Sequence, residues 1–165
     1  MEFNSKITIT KKLSEADAIT HNGVFHADDV LAAVILAKVF NGITLYRASV
    51  VPENINSKTI IFDIGHGELD HHQLGGNGQR KNGVPFASSG LIWKKYGPKL
   101  LENLDNSRLV WGLVDRILIA GIDAKDNNSL PRIDYPTQGT LLNAVIFNFN
   151  LFLFLIHYIT SILFI

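Results

Sequence analysis

Cysteine is absent from the 165 residues. That excludes disulfides, thiolate metal sites and cysteine nucleophiles, and a reducing cytoplasm fits. Net charge is lacking too: Lys plus Arg and Asp plus Glu stand at 15 each. No global field therefore argues for nucleic acid, although a local basic groove stays open. Charged residues make up 18% against 47% hydrophobic, the balance of a folded domain rather than a disordered chain. Residues 1–12 carry charges and lack an apolar core, so they do not read as a signal peptide. Charge disappears altogether from Leu141 to Ile165. A membrane anchor is disfavoured there: Asn143, Asn148, Asn150 and His157 interrupt the segment, and no Lys or Arg follows it. Its almost wholly apolar end, 151–165, is shorter than the roughly 20 residues a span needs. The expectation is one domain over residues 16–150, then an apolar tail over 151–165 that carries no chemistry.

What is present is an alternation of short apolar runs and turn residues. Residues 16–20 predict a strand ending at His21, and Asp28 or Asp29 is placed to cap a helix over 30–40 that stops at Asn41-Gly42. That helix is apolar on nearly every face, which predicts deep packing. Residues 43–49 alternate as a second strand, and 59–64 form a continuous apolar third strand of the kind buried on both sides. A glycine-rich loop over 75–83 leads to a helix through 91–96, capped by Ser88 or Ser89 and ended by Gly97-Pro98. Further helices are expected at 100–104 and 109–122. The order predicts an α/β fold, a parallel sheet with helices on both faces. In such sheets ligands bind outside the carboxyl ends of the strands, where His21 and Asp63 fall together.

All histidines except His157 lie within residues 21–72, in company with carboxylates. His21 and His26 precede Asp28 and Asp29; Asp63 interrupts an apolar strand; Asp70 precedes His71 and His72. Imidazole and carboxylate without sulfur suit Mn²⁺, Fe²⁺, Co²⁺ or Zn²⁺, and the excess of carboxylate leans toward Mn²⁺. These ligands exceed what one tetrahedral zinc takes. A pair of ions about 3.5–4 Å apart, bridged by a carboxylate, uses them and suits phosphoester hydrolysis. Each residue also has a plain structural reading: Asp28 and Asp29 as helix caps, Asp63 as a hydrogen-bonded buried carboxylate, His66 as a surface residue. Their coincidence at one sheet edge favours the site. Arg80 and Lys81 in the glycine-rich loop read equally well as a long turn or as a phosphate-gathering lid.

These blocks, with Ser88-Ser89-Gly90-Leu91-Ile92, Tyr96-Gly97 and Ile122-Asp123-Ala124-Lys125-Asp126-Asn127, occur in the order seen in the melanocyte-proliferating-gene (Myg) family. That family resembles the DHH phosphoesterase superfamily of nanoRNases, RecJ-type exonucleases and manganese pyrophosphatases. The resemblance covers roughly residues 19–150. It implies a DHH-like N-terminal domain holding two metal ions, most simply Mn²⁺, through His21, His26, Asp28, Asp63, His71 and Asp123. Asp63 would bridge the ions. Asp115 and Asp126 compete with Asp123 for the last place. His72 would face the scissile phosphate as a catalytic residue supported by Asp70. Apart from the resemblance, Arg80, Lys81 and Ser88 are the expected substrate contacts. His26 stands where the superfamily has a carboxylate, and Asn128 where the family has glycine.

Relatives in the resemblance continue into a second domain that helps hold substrate, whereas this chain reads as truncated after the N-terminal domain. The expectation is therefore a two-metal phosphodiesterase or exonuclease-like hydrolase acting on RNA or small nucleotides. It is cytoplasmic, with no stable protein partner implied and homo-oligomers open. The alternatives are a metal-binding but catalytically silent module, or a protein whose apolar tail tethers it to a membrane.

Overall fold

A computed structural model describes residues 6–129. The domain's stretch beyond them and the apolar tail expected at 151–165 lie outside the described residues. Strand β1 (Ile7–Thr10) comes first, followed by a 3₁₀ turn (Leu13–Glu15) and β2 (Ala18–His21). Helix α1 (Ala27–Phe40) then leads to β3 (Ile43–Ala48) and to β4 (Ile60–Ile61). Helix α2 (Ser88–Leu100) and α3 (Ser107–Val114) follow, and a π-helical turn (Asp115–Ile119) continues α3 into α4 (Ala120–Asp126). The four strands form one sheet in the order β1-β3-β2-β4, with every pairing parallel. This is the α/β architecture expected.

Sequence and structure part company at particular elements. β1 lies in a stretch that reads only as charged; it becomes a strand because Ile7 to Thr10 register against Ile43 to Tyr46 of β3. The third strand shrinks from 59–64 to Ile60–Ile61, since Asp63 adopts a left-handed backbone, φ +56°, that turns the chain out of the sheet. Residues 101–106 form turns rather than a helix. Pro98 lies inside α2 instead of ending it; it has no N–H to donate to the carbonyl four residues back, and the helix runs only two residues further. The caps differ as well. His26 and Ala87 are the N-cap residues of α1 and α2, while Asp28 and Asp29 occupy the first turn of α1 and are buried. Asn41 closes α1 at φ +58°, as its neighbourhood predicts.

The core explains which way α1 faces. Ala32, Ala33, Ile35, Leu36 and Ala37 share one buried cluster with Ala18, Leu45 and Phe62 from the strand side and with Leu91, Ile92 and Trp93 of α2. Fully buried side chains such as Leu36, Phe62 and Ile92 each contribute about 1.5–3 kcal/mol relative to exposure. Val34 and Phe40 are exposed, so α1 packs on one side rather than all round. Trp93 and Trp111 stack with centroids 6.4 Å apart. Each indole N–H donates to the other's backbone carbonyl, at 3.3 and 3.2 Å, which ties α3 to α2. β2 runs between β3 and β4, so the segments after β2 and β4 leave the sheet side by side at its carboxyl edge.

Candidate metal centre

His21 is the last residue of β2 and is half-buried. Its Nε2 stands 3.0 Å from Asp29 Oδ2 and 3.2 Å from Asp63 Oδ2. None of these three buried atoms has an in-line hydrogen-bond partner; they converge on one another instead. The two carboxylates, Asp29 first, raise the His21 pKa to about 9. The Gly23 N–H donates to Nδ1 at 3.0 Å, a contact only the neutral ring accepts, and the paired negative charges outweigh it. Arg47 of β3 steadies the segment after His21, its Nε donating to the His21 carbonyl at 3.1 Å. Asp29 is held in turn, accepting the His26 N–H at 2.9 Å across the first turn of α1.

The other oxygen of Asp63 faces a second group. Oδ1 lies 3.4 Å from His71 Nδ1 and 3.6 Å from His72 Nδ1, and it accepts the Ser88 hydroxyl at 3.1 Å. His71 is buried, with Nδ1 3.9 Å from Asp28 Oδ2 and Nε2 2.8 Å from Asp126 Oδ2. Burial works against a charged His71, but Asp126 and Asp63 overcome it and raise the pKa. Asp126 shows the mirror image: burial would raise it, and His71 pulls it below the ordinary carboxylate range. Asp28 is pushed well above that range, by burial first and then by Asp63 and Asp126. Its Oδ1 has no hydrogen-bond partner.

Asp70 organises the turn that carries both histidines. Its Oδ2 accepts the His66 N–H at 2.7 Å, and its Oδ1 accepts the His71 N–H at 2.7 Å and the His72 N–H at 3.2 Å. The same Oδ1 pairs with His72 Nδ1 at 2.7 Å. Burial opposes the charged form of Asp70, yet His72 and these amides bring its pKa down. His72 itself is half-exposed at the mouth of the cluster.

Three groups of side chains thus offer nitrogen and oxygen donors within 4.8 Å of one another: His21, Asp29 and Asp63; Asp28, His71 and Asp126; and Asp63, Asp70, His71 and His72. Orphaned, buried, anionic donors with no sulfur among them fit a hard or borderline divalent ion. These clusters could hold metal.

The expected residues are not all gathered here. His21, Asp28, Asp63, Asp70, His71 and His72 come together. His26 sits at the rim, half-exposed, with Nδ1 3.5 Å from Asp126 Oδ1. Asp123 does not join them: its Oδ1 accepts the Ser89 hydroxyl at 2.7 Å and the Gly90 N–H at 3.1 Å, at the start of α2. Asp126, one turn on, takes the place beside His71. Arg80 is not open to a phosphate, because it makes a two-pronged contact with Asp115 at 2.8 and 2.7 Å. Its Nη1 also stands 2.7 Å from Asp123 Oδ2, a charge contact out of line for a hydrogen bond. Ser88 is fully buried under Asp63 rather than facing solvent. Lys81 is exposed. Asp29 belongs to the His21–Asp29 cluster of the sequence but received no ligand role from the resemblance; here it stands beside His21 and Asp63.

Among the described residues no helix is long and apolar enough to cross a membrane. No solved structure matches the chain. Curated relatives do. A MYG1 protein of Schizosaccharomyces pombe is 33% identical over 125 residues, 66% of this chain and 38% of its own length. A MYG1 protein of Saccharomyces cerevisiae is 29% identical over 77% of this chain and 42% of its own length. The Homo sapiens MYG1 exonuclease is 33% identical over 66% and 34%. The chain therefore spans about two fifths or less of the length of these relatives. A family model described as "MYG1_exonuc: Uncharacterised protein family (UPF0160)" matches residues 17–151, and with His21, Asp63 and the Asp70-His71-His72 turn all inside that match, the chain belongs to this family.

Proposed function

We propose that this chain is the metal-binding part of a phosphoester hydrolase of the DHH-phosphoesterase type, cleaving RNA or small nucleotides with two divalent ions, most simply Mn²⁺. The observation that carries the reading is the division of Asp63: Oδ2 faces His21 and Asp29, and Oδ1 faces His71. A carboxylate so placed suits a bridge between two ions. His21, Asp29 and Asp63 would hold one ion, and Asp63, Asp28, His71 and Asp126 the other, with His26 at the rim. When bound, such a pair supplies Lewis acidity and makes water a stronger acid. His72 supplies proton transfer. Asp70 at Nδ1 fixes its tautomer, which leaves Nε2 to exchange a proton with the reacting phosphoester. Lys81 offers a cation to substrate phosphates, while Arg80, Ser88 and Asp123 act on the protein itself. A cytoplasmic setting belongs to the proposal, since a chain without cysteine suits it.

The human relative's printed name, MYG1 exonuclease, supports a nucleic-acid substrate. A second reading, a metal-binding domain without activity of its own, is favoured by two expected substrate contacts that are engaged within the protein instead, Arg80 on Asp115 and Ser88 on Asp63. Metal analysis of the purified chain, coupled to a hydrolysis screen over short RNAs, dinucleotides and pyrophosphate, separates the two. Stoichiometric metal with turnover supports the enzyme; stoichiometric metal with none supports the silent domain; no metal removes both.

A further inference from the structure

Helix α2 starts on Ala87 with no side-chain cap of its own, yet two of its first three N–H groups find carboxylates elsewhere in the fold. Ser88 N–H donates to Asp28 Oδ2 at 3.1 Å, and Gly90 N–H donates to Asp123 Oδ1 at 3.1 Å. Two carboxylates from other helices cap it, Asp28 from α1 and Asp123 from α4. A helix N-terminus favours nearby negative charge, so the arrangement is sound. What differs is what stands behind each carboxylate. Asp28 belongs to the candidate metal centre. Asp123, fully buried, is backed by Arg80, which is locked on Asp115 and lies 4.5 Å over the Phe86 ring.

Gly90 shows how tightly this joint is made. A Cβ there would lie 1.9 Å from Asp123 Oδ2 and 2.9 Å from the Phe86 ring, so only glycine lets the carboxylate rest on the helix end. From this joint α2 reaches the centre through Ser88 alone of its first residues, whose hydroxyl touches Asp63 Oδ1 at 3.1 Å and His71 Nδ1 at 3.3 Å. No hydrogen bond or ion pair runs from α2 to His21 or Asp29 among those described.

We infer that the Arg80–Asp115–Asp123 cluster is a positioning device: it fixes the N-terminus of α2 and sets the Ser88 hydroxyl against Asp63 and His71. That hydroxyl touches His71 directly, and reaches the His21 half of the centre only through Asp63. Its consequence for catalysis rests on the hydrolase reading above; its hold on His71 does not.

Nitrogen NMR of the histidine side chains in the metal-free full chain tests that hold directly. Asp123→Ala removes the acceptor for Ser89 and Gly90, and is expected to shift the ring signals of His71 while those of His21 stay. Asp123→Asn keeps a carbonyl oxygen for both donors but sets an amide N–H against Arg80 Nη1, and should shift the His71 signals less than Asp123→Ala does while those of His21 stay. Mn²⁺ titration then reads the effect on binding. One class of ion should weaken by roughly tenfold in Asp123→Ala, within the ~10–100-fold range of residues that support metal ligands, while the other stays within about threefold. Should Asp123→Ala fail to fold, Arg80→Lys, which cannot make the two-pronged contact with Asp115, is expected to act in the same direction more weakly. His71 signals unmoved in a folded variant, or equal disturbance of His71 and His21, would overturn the inference. If wild type binds no Mn²⁺, the hydrolase reading fails, and the NMR comparison still decides this one.

Discussion

Asp63 carries two burdens, a left-handed backbone at φ +56° and a carboxylate divided between two groups of donors. Asp and Asn both tolerate that backbone, so Asp63→Asn removes the charge while sparing the turn. We expect it to lower Mn²⁺-dependent hydrolysis by at least about a hundredfold, the upper end of what supporting residues alone cost. His66→Ala should stay within about threefold, because His66 serves Asp70 through its backbone N–H and not its ring. Parallel rate measurements check this, and equal losses would remove Asp63 from its assigned place. A second expectation concerns pH. The folded-state pKa of His21 is raised from 6.5 to about 9 by Asp29 and Asp63. The stability this gives the metal-free protein is therefore fully present below about pH 6.5 and lost as pH rises through 9. Melting curves from pH 6.5 to 9 should show that decline, and His21→Gln should flatten it. Mn²⁺ competes for the same nitrogen, so its binding should release protons, measurable by calorimetry in buffers of different ionisation enthalpy.

At the scale of elements, the start of α2 sets two effects against each other. Replacing glycine by alanine inside a helix ordinarily gains about 1 kcal/mol. At Gly90 the new Cβ meets Asp123 Oδ2 and Phe86, and such overpacking costs about 1–3 kcal/mol. Gly90→Ala should therefore destabilise in denaturant unfolding, and a stabilised variant would show the joint to be loose. The same region shows what could be read from sequence. β2, α1, β3 and α2 were legible, since apolar runs bracketed by turn residues declare themselves locally. β1 was not, because its four residues become a strand only through β3, far along the chain. Asp126 against Asp123 was not legible either. The two are three residues apart on one helix, nearly the same face, and the π-helical turn at Asp115–Ile119 inserts a residue that rotates everything after it. Asp29 was ambiguous for a different reason: a carboxylate in the first turn of a helix serves the helix and a cation equally well.

For the whole molecule, the apolar segment 151–165 has no assigned donor within it. Deleting it should leave Mn²⁺ affinity within about threefold and improve solubility, since an exposed apolar run favours self-association. Recovery of the intact chain in an alkali-resistant membrane fraction would count against this. The residues that hold the two groups of donors come from β2, α1, the turn after β4, and α4, so the centre exists only when these elements are docked together. The two tryptophans of the chain are Trp93 and Trp111, stacked face to face between α2 and α3. All indole emission therefore originates at one joint, and the protein carries a built-in optical gauge of whether α2 is seated. A change in that emission on adding a divalent ion would register the ion's arrival through the helix that Ser88 begins, with no label attached.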